Sequence, residues 1–274
     1  MTDTLTTVAT NLAFPEGPRW HDGTLWWSDM HSGEVCRLVE GKTETICSVS
    51  GRPSGLGWLP DGRMLVVSML DKRVLRREAD GTLAEHADLS GLAPRRCNDM
   101  VVDSKGGAFI GNFGFDEEAG EKPCGTVLIR VEADGAARIV ADELVFPNGM
   151  VITDGSKTLV VAETFAARLT AFDIDEAGNL SNRRPWASFD RGVYPDGICL
   201  DDEGAIWVAC PATKRVVRVA EGGSPTASIS MGRPAYACAI GGVEGRTLFV
   251  CTASSHDLDR QIKSRDGRIE GFAL

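Results

Sequence analysis

The sequence predicts an all-β protein: a six-bladed β-propeller, four antiparallel strands per blade, closed by pairing of its N- and C-terminal strands. Three observations carry this. A short motif recurs six times. The same strand–turn–strand pattern follows each copy. No stretch holds a sustained helical period. The chain is read as one such domain over residues 1–274.

The motif has a turn-forming start, one variable residue, a small or acidic residue in most copies, and an apolar run. Its copies are Phe14-Pro15-Glu16-Gly17-Pro18, Pro53-Ser54-Gly55-Leu56, Arg96-Cys97-Asn98-Asp99-Met100, Phe146-Pro147-Asn148-Gly149-Met150, Tyr194-Pro195-Asp196-Gly197-Ile198 and Pro234-Ala235-Tyr236-Ala237-Cys238. The variable residues are Glu16, Ser54, Asn98, Asn148, Asp196 and Tyr236, spaced by 38, 44, 50, 48 and 40 residues. Units of roughly 45 residues suit four-stranded blades.

Each unit continues alike. A turn follows the apolar run, at Asp22-Gly23, Asp61-Gly62, Lys105-Gly106-Gly107, Asp154-Gly155, Glu203-Gly204 and Glu244-Gly245. Glycine supplies the positive φ that tight hairpins need. A β-rich second strand comes next, as in Met64 to Ser68, Thr158 to Ala162 and Thr247 to Cys251. Then comes an alternating third strand, as in Arg73 to Arg77 and Arg215 to Val219, which fits a position nearer the rim with one wet face. Thr4 to Ala9 reads as an outer strand without a blade, and Gly267 to Ala273 as a third strand without a fourth. Pairing them closes the ring and removes the free edges.

Composition narrows the partners. Hydrophobic residues make up 43% and charged residues 25%, with a formal charge of −10 from 29 basic and 39 acidic side chains. An acidic chain with no basic block argues against nucleic acid and anionic membrane as partners, and solubility alone accounts for most of the charge. The eight cysteines form no C-x-x-C pair, and Met1-Thr2-Asp3-Thr4 has neither a basic nor an apolar leader character. A cytoplasmic protein with reduced thiols is expected.

Propeller geometry predicts that each variable residue lies just before the innermost strand of its blade, at one mouth of the central channel. The second strands end on the same face, so Asp29, Met69, Asn112, Glu163, Cys210 and Thr252 form a second ring, with Phe113, Phe165 and His256 in the loops that follow. In the first ring Glu16, Asn98, Asn148 and Asp196 all offer side-chain oxygens. Oxygen donors suit a hard cation such as Ca²⁺, Mg²⁺ or Mn²⁺. Asn, Asp and Gly also serve turns before strands; four oxygen donors at equivalent positions favour the ligand reading.

The segments around Glu16, Asn98, Asn148 and Asp196, in this order and spacing, resemble the signature segments of the senescence-marker/gluconolactonase/luciferin-regenerating-enzyme (regucalcin-like) family. The resemblance implies a six-bladed propeller with one divalent ion at the channel mouth, Ca²⁺ first, with Mg²⁺, Mn²⁺ or Zn²⁺ as alternatives. It implies Glu16, Asn148 and Asp196 as metal ligands and Asp196 as general base. It also implies Asn98 beside substrate or metal-held water, and Arg96 on substrate oxygens. The implied activity is a metal-dependent hydrolase, foremost a lactonase opening a sugar or related lactone to the hydroxy acid, with a small-molecule substrate as the implied partner. An organophosphate or ester hydrolase of the diisopropyl-fluorophosphatase type and a non-catalytic metal-binding propeller are the alternatives.

The chain departs from the animal lactonases at Gly111-Asn112-Phe113-Gly114-Phe115-Asp116, where those carry a polar, acidic sugar-binding segment. The two phenylalanines either pack the loop or edge the pocket for a less polar ring. Asn112, Phe113 and Glu163 are candidate substrate contacts; Glu163 reads equally as a structural ion pair. Asp99 orients Asn98 or caps a turn. Cys97 lacks a histidine neighbour and His256 reads as a solvated loop residue. Asp173-x-Asp175-x-x-Gly178 resembles the start of a calcium loop but reads as a hairpin turn, with Arg184 at the twelfth position.

Overall fold

The computed structural model of the chain describes residues 5–116, 119–153, 155 and 157–274. Met1 to Thr4, including the expected start of the first strand, and Asp154 of the fourth-unit turn lie outside the described residues. The first strand, β1 (Thr6–Leu12), belongs to the last blade. Blade 1 is β2 (Pro15–His21), β3 (Thr24–Asp29), β4 (Glu34–Val39) and β5 (Lys42–Ser48). Blade 2 is β6 (Pro53–Trp58), β7 (Met64–Ser68), β8 (Arg73–Arg77) and β9 (Leu83–Asp88). Blade 3 is β10 (Cys97–Val102), β11 (Ala108–Asn112), β12 (Gly125–Val131) and β13 (Ala137–Val145). Blade 4 is β14 (Pro147–Thr153), β15 (Thr158–Glu163), β16 (Arg168–Ile174) and β17 (Leu180–Ser188). Blade 5 is β18 (Ile198–Leu200), β19 (Ile206–Cys210), β20 (Arg215–Val219) and β21 (Pro225–Ser230). Blade 6 is β22 (Ala235–Gly241), β23 (Thr247–Thr252) and β24 (Gly267–Ala273), completed by β1. The six antiparallel sheets form the expected six-bladed propeller.

The second strands explain the packing. Successive residues of a strand point to opposite faces. In β11, Ile110 packs with Leu65 and Val67 of blade 2, while its neighbour Phe109 packs with Leu159 and Val161 of blade 4. In β15, Val160 and Ala162 turn instead to Ile206 and Val208 of blade 5. Six apolar clusters result, one at each junction between blades. The last joins Leu25 and Trp27 of blade 1 to Phe249 and Cys251 of blade 6. A strand buried on both faces needs a continuous apolar run, which is why Thr-Leu-Val-Val and Met-Leu-Val-Val stretches occupy these positions.

Closure follows the expected design. β1 pairs antiparallel with β24, Thr6 opposite Gly271, and β24 spans the expected residues. Besides three short 3-10 turns (Met30–Ser32, Thr164–Ala166 and Val243–Gly245), one α-helix among the described residues was not expected, α1 (Leu258–Ser264), with the Asp257 carboxylate accepting the Arg260 N–H as N-cap. At seven residues it is too short to set up a visible period. The Asp173–Gly178 segment is a hairpin turn, with the Asp175 carboxylate accepting from the backbone N–H groups of Ala177 and Asn179.

The variable residues sit within their first strands rather than before them in every blade but the fifth, where the strand begins at Ile198. The cause is a register break inside the motif, between Glu16 and Arg19, Pro53 and Leu56, Cys97 and Met100, Pro147 and Met150, and Ala235 and Ala237. Such a bulge re-aims a side chain without ending the strand. The motif glycine has a separate cause. A Cβ on Gly149 would lie 2.5 Å from Ile198 N and 2.7 Å from Gly197 Cα, and one on Gly55 would collide with Met100 N. Glycine lets neighbouring first strands approach closely around the channel. Blade 3 alone carries a carboxylate at this place, Asp99.

Candidate active site

The bulged motifs bring side chains from separate blades together. The Asn148 amide nitrogen of blade 4 donates a short hydrogen bond to Asp196 Oδ1 of blade 5 and bonds Thr164 Oγ1 at 3.3 Å. Thr164 Oγ1 donates onward to Pro195 O at 2.8 Å. Ser54 Oγ of blade 2 donates to Asn98 Oδ1 of blade 3 at 3.4 Å. Blade 6 adds Tyr236, whose ring meets Phe14 edge-on at 4.7 Å and whose carbonyl accepts the Gly197 N–H. Across the channel, Arg19 Nη2 donates to Asp99 Oδ1 at 2.7 Å and to Met100 O.

The electrostatics are those of crowded, dry acids. Burial pushes the Glu16 carboxyl up to about 8; the charge of Asp99 adds to the rise, and the Gly17 N–H and Arg19 oppose it. Burial and then the charges of Glu16 and Asp99 lift Asp196 well above the usual carboxylate range, against its Asn148 bond. Asp99 is raised too, by burial, with Arg19 opposing. Tyr236 is held neutral by burial and by the same two acids. Arg19 thus opposes the rise of Glu16 and Asp99 but not that of Asp196, and desolvated like charges are stable only when protonated or matched by a cation.

The donor set fits a hard divalent ion. It comprises two carboxylates, Glu16 and Asp196, with the amide oxygens of Asn148 and Asn98. Among the described residues no three His, Cys, Asp or Glu side chains form a cage of their own. The set therefore depends on amide oxygen, which suits Ca²⁺, Mg²⁺ or Mn²⁺ better than a thiol- or imidazole-seeking ion.

The second ring divides differently. Glu163 is fully buried, and its carboxylate accepts Val145 N at 2.8 Å, Arg168 Nε at 2.8 Å and the Thr170 hydroxyl. Asp29, its counterpart in blade 1, accepts Ala13 N at 3.1 Å and Phe14 N at 2.7 Å. Each holds the peptides leading into a motif, that of Asn148 or of Glu16, and Pro147 and Pro15 lie opposite them in the register. Asn112 is also fully buried, donating to Val127 O and accepting from Thr126 Oγ1. The structure therefore commits the polar atoms of both candidate substrate contacts, Asn112 within its own blade and Glu163 to its own third strand and to the end of blade 3. Their polar atoms satisfy the backbone beside the site, as buried polar groups must.

Arg96 stacks over Phe113 at 5.3 Å and lies 3.8 Å from the Asp116 carboxylate. Phe113 is joined to it by its N–H on Arg96 O. The Cys97 thiol is buried and pushed up to about 12, so it is no nucleophile at neutral pH. His256 is exposed, its carbonyl meeting His31 Nε2. Arg19 and Thr164 were not singled out from the sequence. Neither occupies a repeated motif position, and only the register of the bulged strands brings them to the cluster.

The fold and this cluster define a six-bladed propeller with an acidic, oxygen-rich channel mouth. Residues 14–254 match the SMP-30/gluconolactonase/LRE-like region, and the chain belongs to that family. A pentonolactonase of Haloferax volcanii is 30% identical over 74% of this chain and 68% of its own length. Regucalcin of Xenopus laevis is 28% identical over 94% of this chain and 88% of its own. The crystal structure of a calcium-binding regucalcin from Agrobacterium tumefaciens superposes with a TM-score of 0.83 at 23% identity, covering 99% of this chain and 94% of that one.

Proposed function

We propose that the protein is a divalent-metal-dependent lactonase, with Glu16, Asn148 and Asp196 as the ligands of one hard cation. The observation that carries this reading is the gathering of Glu16 and Asp196 at the amide-lined channel mouth, where burial raises both carboxyls and the charge of Glu16 lifts Asp196 further. A divalent cation there would supply the missing counter-charge and polarise the lactone carbonyl as a Lewis acid. Names among the relatives, a pentonolactonase and a calcium-binding regucalcin, support both halves.

The chain's own groups do the rest. Asp196 Oδ1 is tied to Asn148, leaving Oδ2 to take a proton from the attacking water. That proton then passes to the ring oxygen as the acyl C–O bond breaks, so water and lactone together give one hydroxy acid. Asn98, steadied by Ser54, holds the water or carbonyl oxygen, and Arg96 holds substrate oxygen charge from the Phe113 side. The burial that lifts the acids also excludes bulk water from the reacting atoms.

The test is acid release from a pentonolactone, followed with a pH indicator, with Ca²⁺, Mg²⁺, Mn²⁺ or Zn²⁺ and after chelation. Chelation is expected to lower the rate by about 100-fold or more, the scale of Lewis-acid stabilisation, with recovery on re-adding a hard cation. An undiminished rate in the metal-stripped protein overturns the reading.

A further inference from the structure

We infer that the mouth on the side of blades 3 to 5 is a binding wall for an apolar, ring-bearing substituent, so that the substrate is an aryl-bearing lactone rather than a polyhydroxylated sugar lactone. The inference rests on the lactonase reading and extends it to the substrate class.

The wall is a run of five aromatic rings. Phe113 meets Phe146 at 4.5 Å, Phe146 meets Phe115 at 5.7 Å and Phe165 at 5.3 Å, Phe115 meets Phe165 at 5.4 Å, and Phe165 meets Tyr194 at 5.6 Å. Arg96 caps the blade-3 end by stacking on Phe113. Buried and wet ends differ along the run: Phe115 and Phe146 are 2% and 7% exposed, whereas Phe165 and Tyr194 are 36% and 38% exposed. The inner rings serve as a base and the outer two offer free apolar surface.

The chain places this surface against the reacting groups. Phe146 lies two residues before Asn148, and Tyr194 two before Asp196. Phe165 follows Thr164, the hydroxyl bonded to both the Asn148 amide and Pro195 O. Phe146, at the centre, is held at φ 57. A bulky side chain in the left-handed region costs about 1 kcal/mol or more and persists only where the surroundings impose it. Here the N–H of Thr164 fixes the Phe146 carbonyl at 3.2 Å, and the ring packs among Phe113, Phe115 and Phe165.

Aromatic faces also stack on sugars, so the polar neighbours decide. A polyol needs hydrogen-bonding side chains around its hydroxyls, because a site that recognises them does so with dedicated donors and acceptors. The polar residues that the second strands bring to this side are Asn112 and Glu163; Asn112 is bonded inside its own blade, and Glu163 to Arg168 of its own blade and the Val145 N–H of blade 3. A flat apolar group stacking on Phe165 and Tyr194 would gain contact area and edge-to-face interactions without leaving hydroxyls unpaired.

The experiment compares dihydrocoumarin, an aryl-fused δ-lactone, with D-glucono-δ-lactone on the metal-loaded protein, and repeats both with Phe165→Ala and Tyr194→Ala. The aryl lactone is expected to have the higher kcat/KM by at least tenfold. Each variant is expected to lower the ratio of the two kcat/KM values three- to tenfold, chiefly through KM for the aryl lactone. Turnover of gluconolactone with no preference for the aryl lactone, or a ratio that neither variant changes, overturns the aromatic-wall inference and leaves the lactonase reading standing. Absence of turnover on either lactone with every metal overturns both.

Discussion

Glu163 and Asp196 are both buried acids at the same end of neighbouring blades, 0% and 9% exposed, yet their surroundings are opposite. Glu163 arrives with its partners built in. Burial alone would raise its carboxyl, but bonds from Arg168, Thr170 and the Val145 N–H outweigh that and hold it below the usual range. Asp196 has one amide donor and faces Glu16 and Asp99, so it is driven upward. Depth of burial does not separate the two; the donors facing each acid do. An acid that folding has already satisfied holds structure together. One left facing other acids needs something from outside the chain.

The contrast is sharpest in activity. Glu16→Gln or Asp196→Asn is expected to lower kcat/KM on the best lactone by about 10³-fold or more, since each loses a ligand or the proton acceptor. Circular dichroism should show the same fold, and full activity in either variant would remove these residues from the mechanism. Glu163→Ala is expected to act on the other property. It strands Thr170, Arg168 and a backbone N–H, which should destabilise by about 3 kcal/mol in urea unfolding. Its kcat/KM should change much less than that of Asp196→Asn; a loss as large with unchanged stability would place Glu163 at the substrate after all.

The subtlest contrast is in the pH dependence of stability, where the two acids have opposite signs. Glu16 and Asp196 are raised in the folded metal-free protein, so the native state binds more protons than the unfolded chain between about 4.5 and about 8. Metal-free stability should therefore fall as pH rises through that window, by at most about 1.4 kcal/mol per pH unit for each proton. Glu16→Gln or saturating divalent cation should flatten the slope. Glu163 is depressed, so its contribution is present above the ordinary carboxylate value and is lost as pH falls below it. Urea midpoints from pH 4 to 9 measure both; a metal-free stability that climbs from pH 5 to 8 would contradict the crowding of the acids at the channel mouth.

Much of the blade pattern was legible because it repeats with local chemistry: Asp-Gly turns, apolar second strands buried on both faces, alternating third strands. The closing pair of strands was legible as two leftovers that complete one another. The helix after Asp257 was not, being too short to show a period. The site was legible in outline because Glu16, Asn98, Asn148 and Asp196 hold one place in the repeat. Its wiring was not. Whether Glu163 or Asn112 turns toward the channel or into its blade depends on the partner that the third strand brings opposite, Arg168 and Thr170 in one case and Thr126 in the other. Arg19 reaches Asp99 because a bulge shifts the register of β2, and no repeat announces that shift.

The stitching of blade 6 from both ends of the described chain has a consequence for assembly. Blades 1 to 5 are each made of contiguous sequence and can form their hairpins from near neighbours. The junction of blades 6 and 1 packs β2 against β22 beside Glu16, and the pairing of Thr6 with Gly271 closes it. Among the described residues the two strands of that pair, β1 and β24, lie farthest apart in sequence. An ion held at the channel mouth by Glu16, Asn148 and Asp196 would tie blade 1 to blades 4 and 5, a clasp across the ring that the β1–β24 pair closes on its outer side.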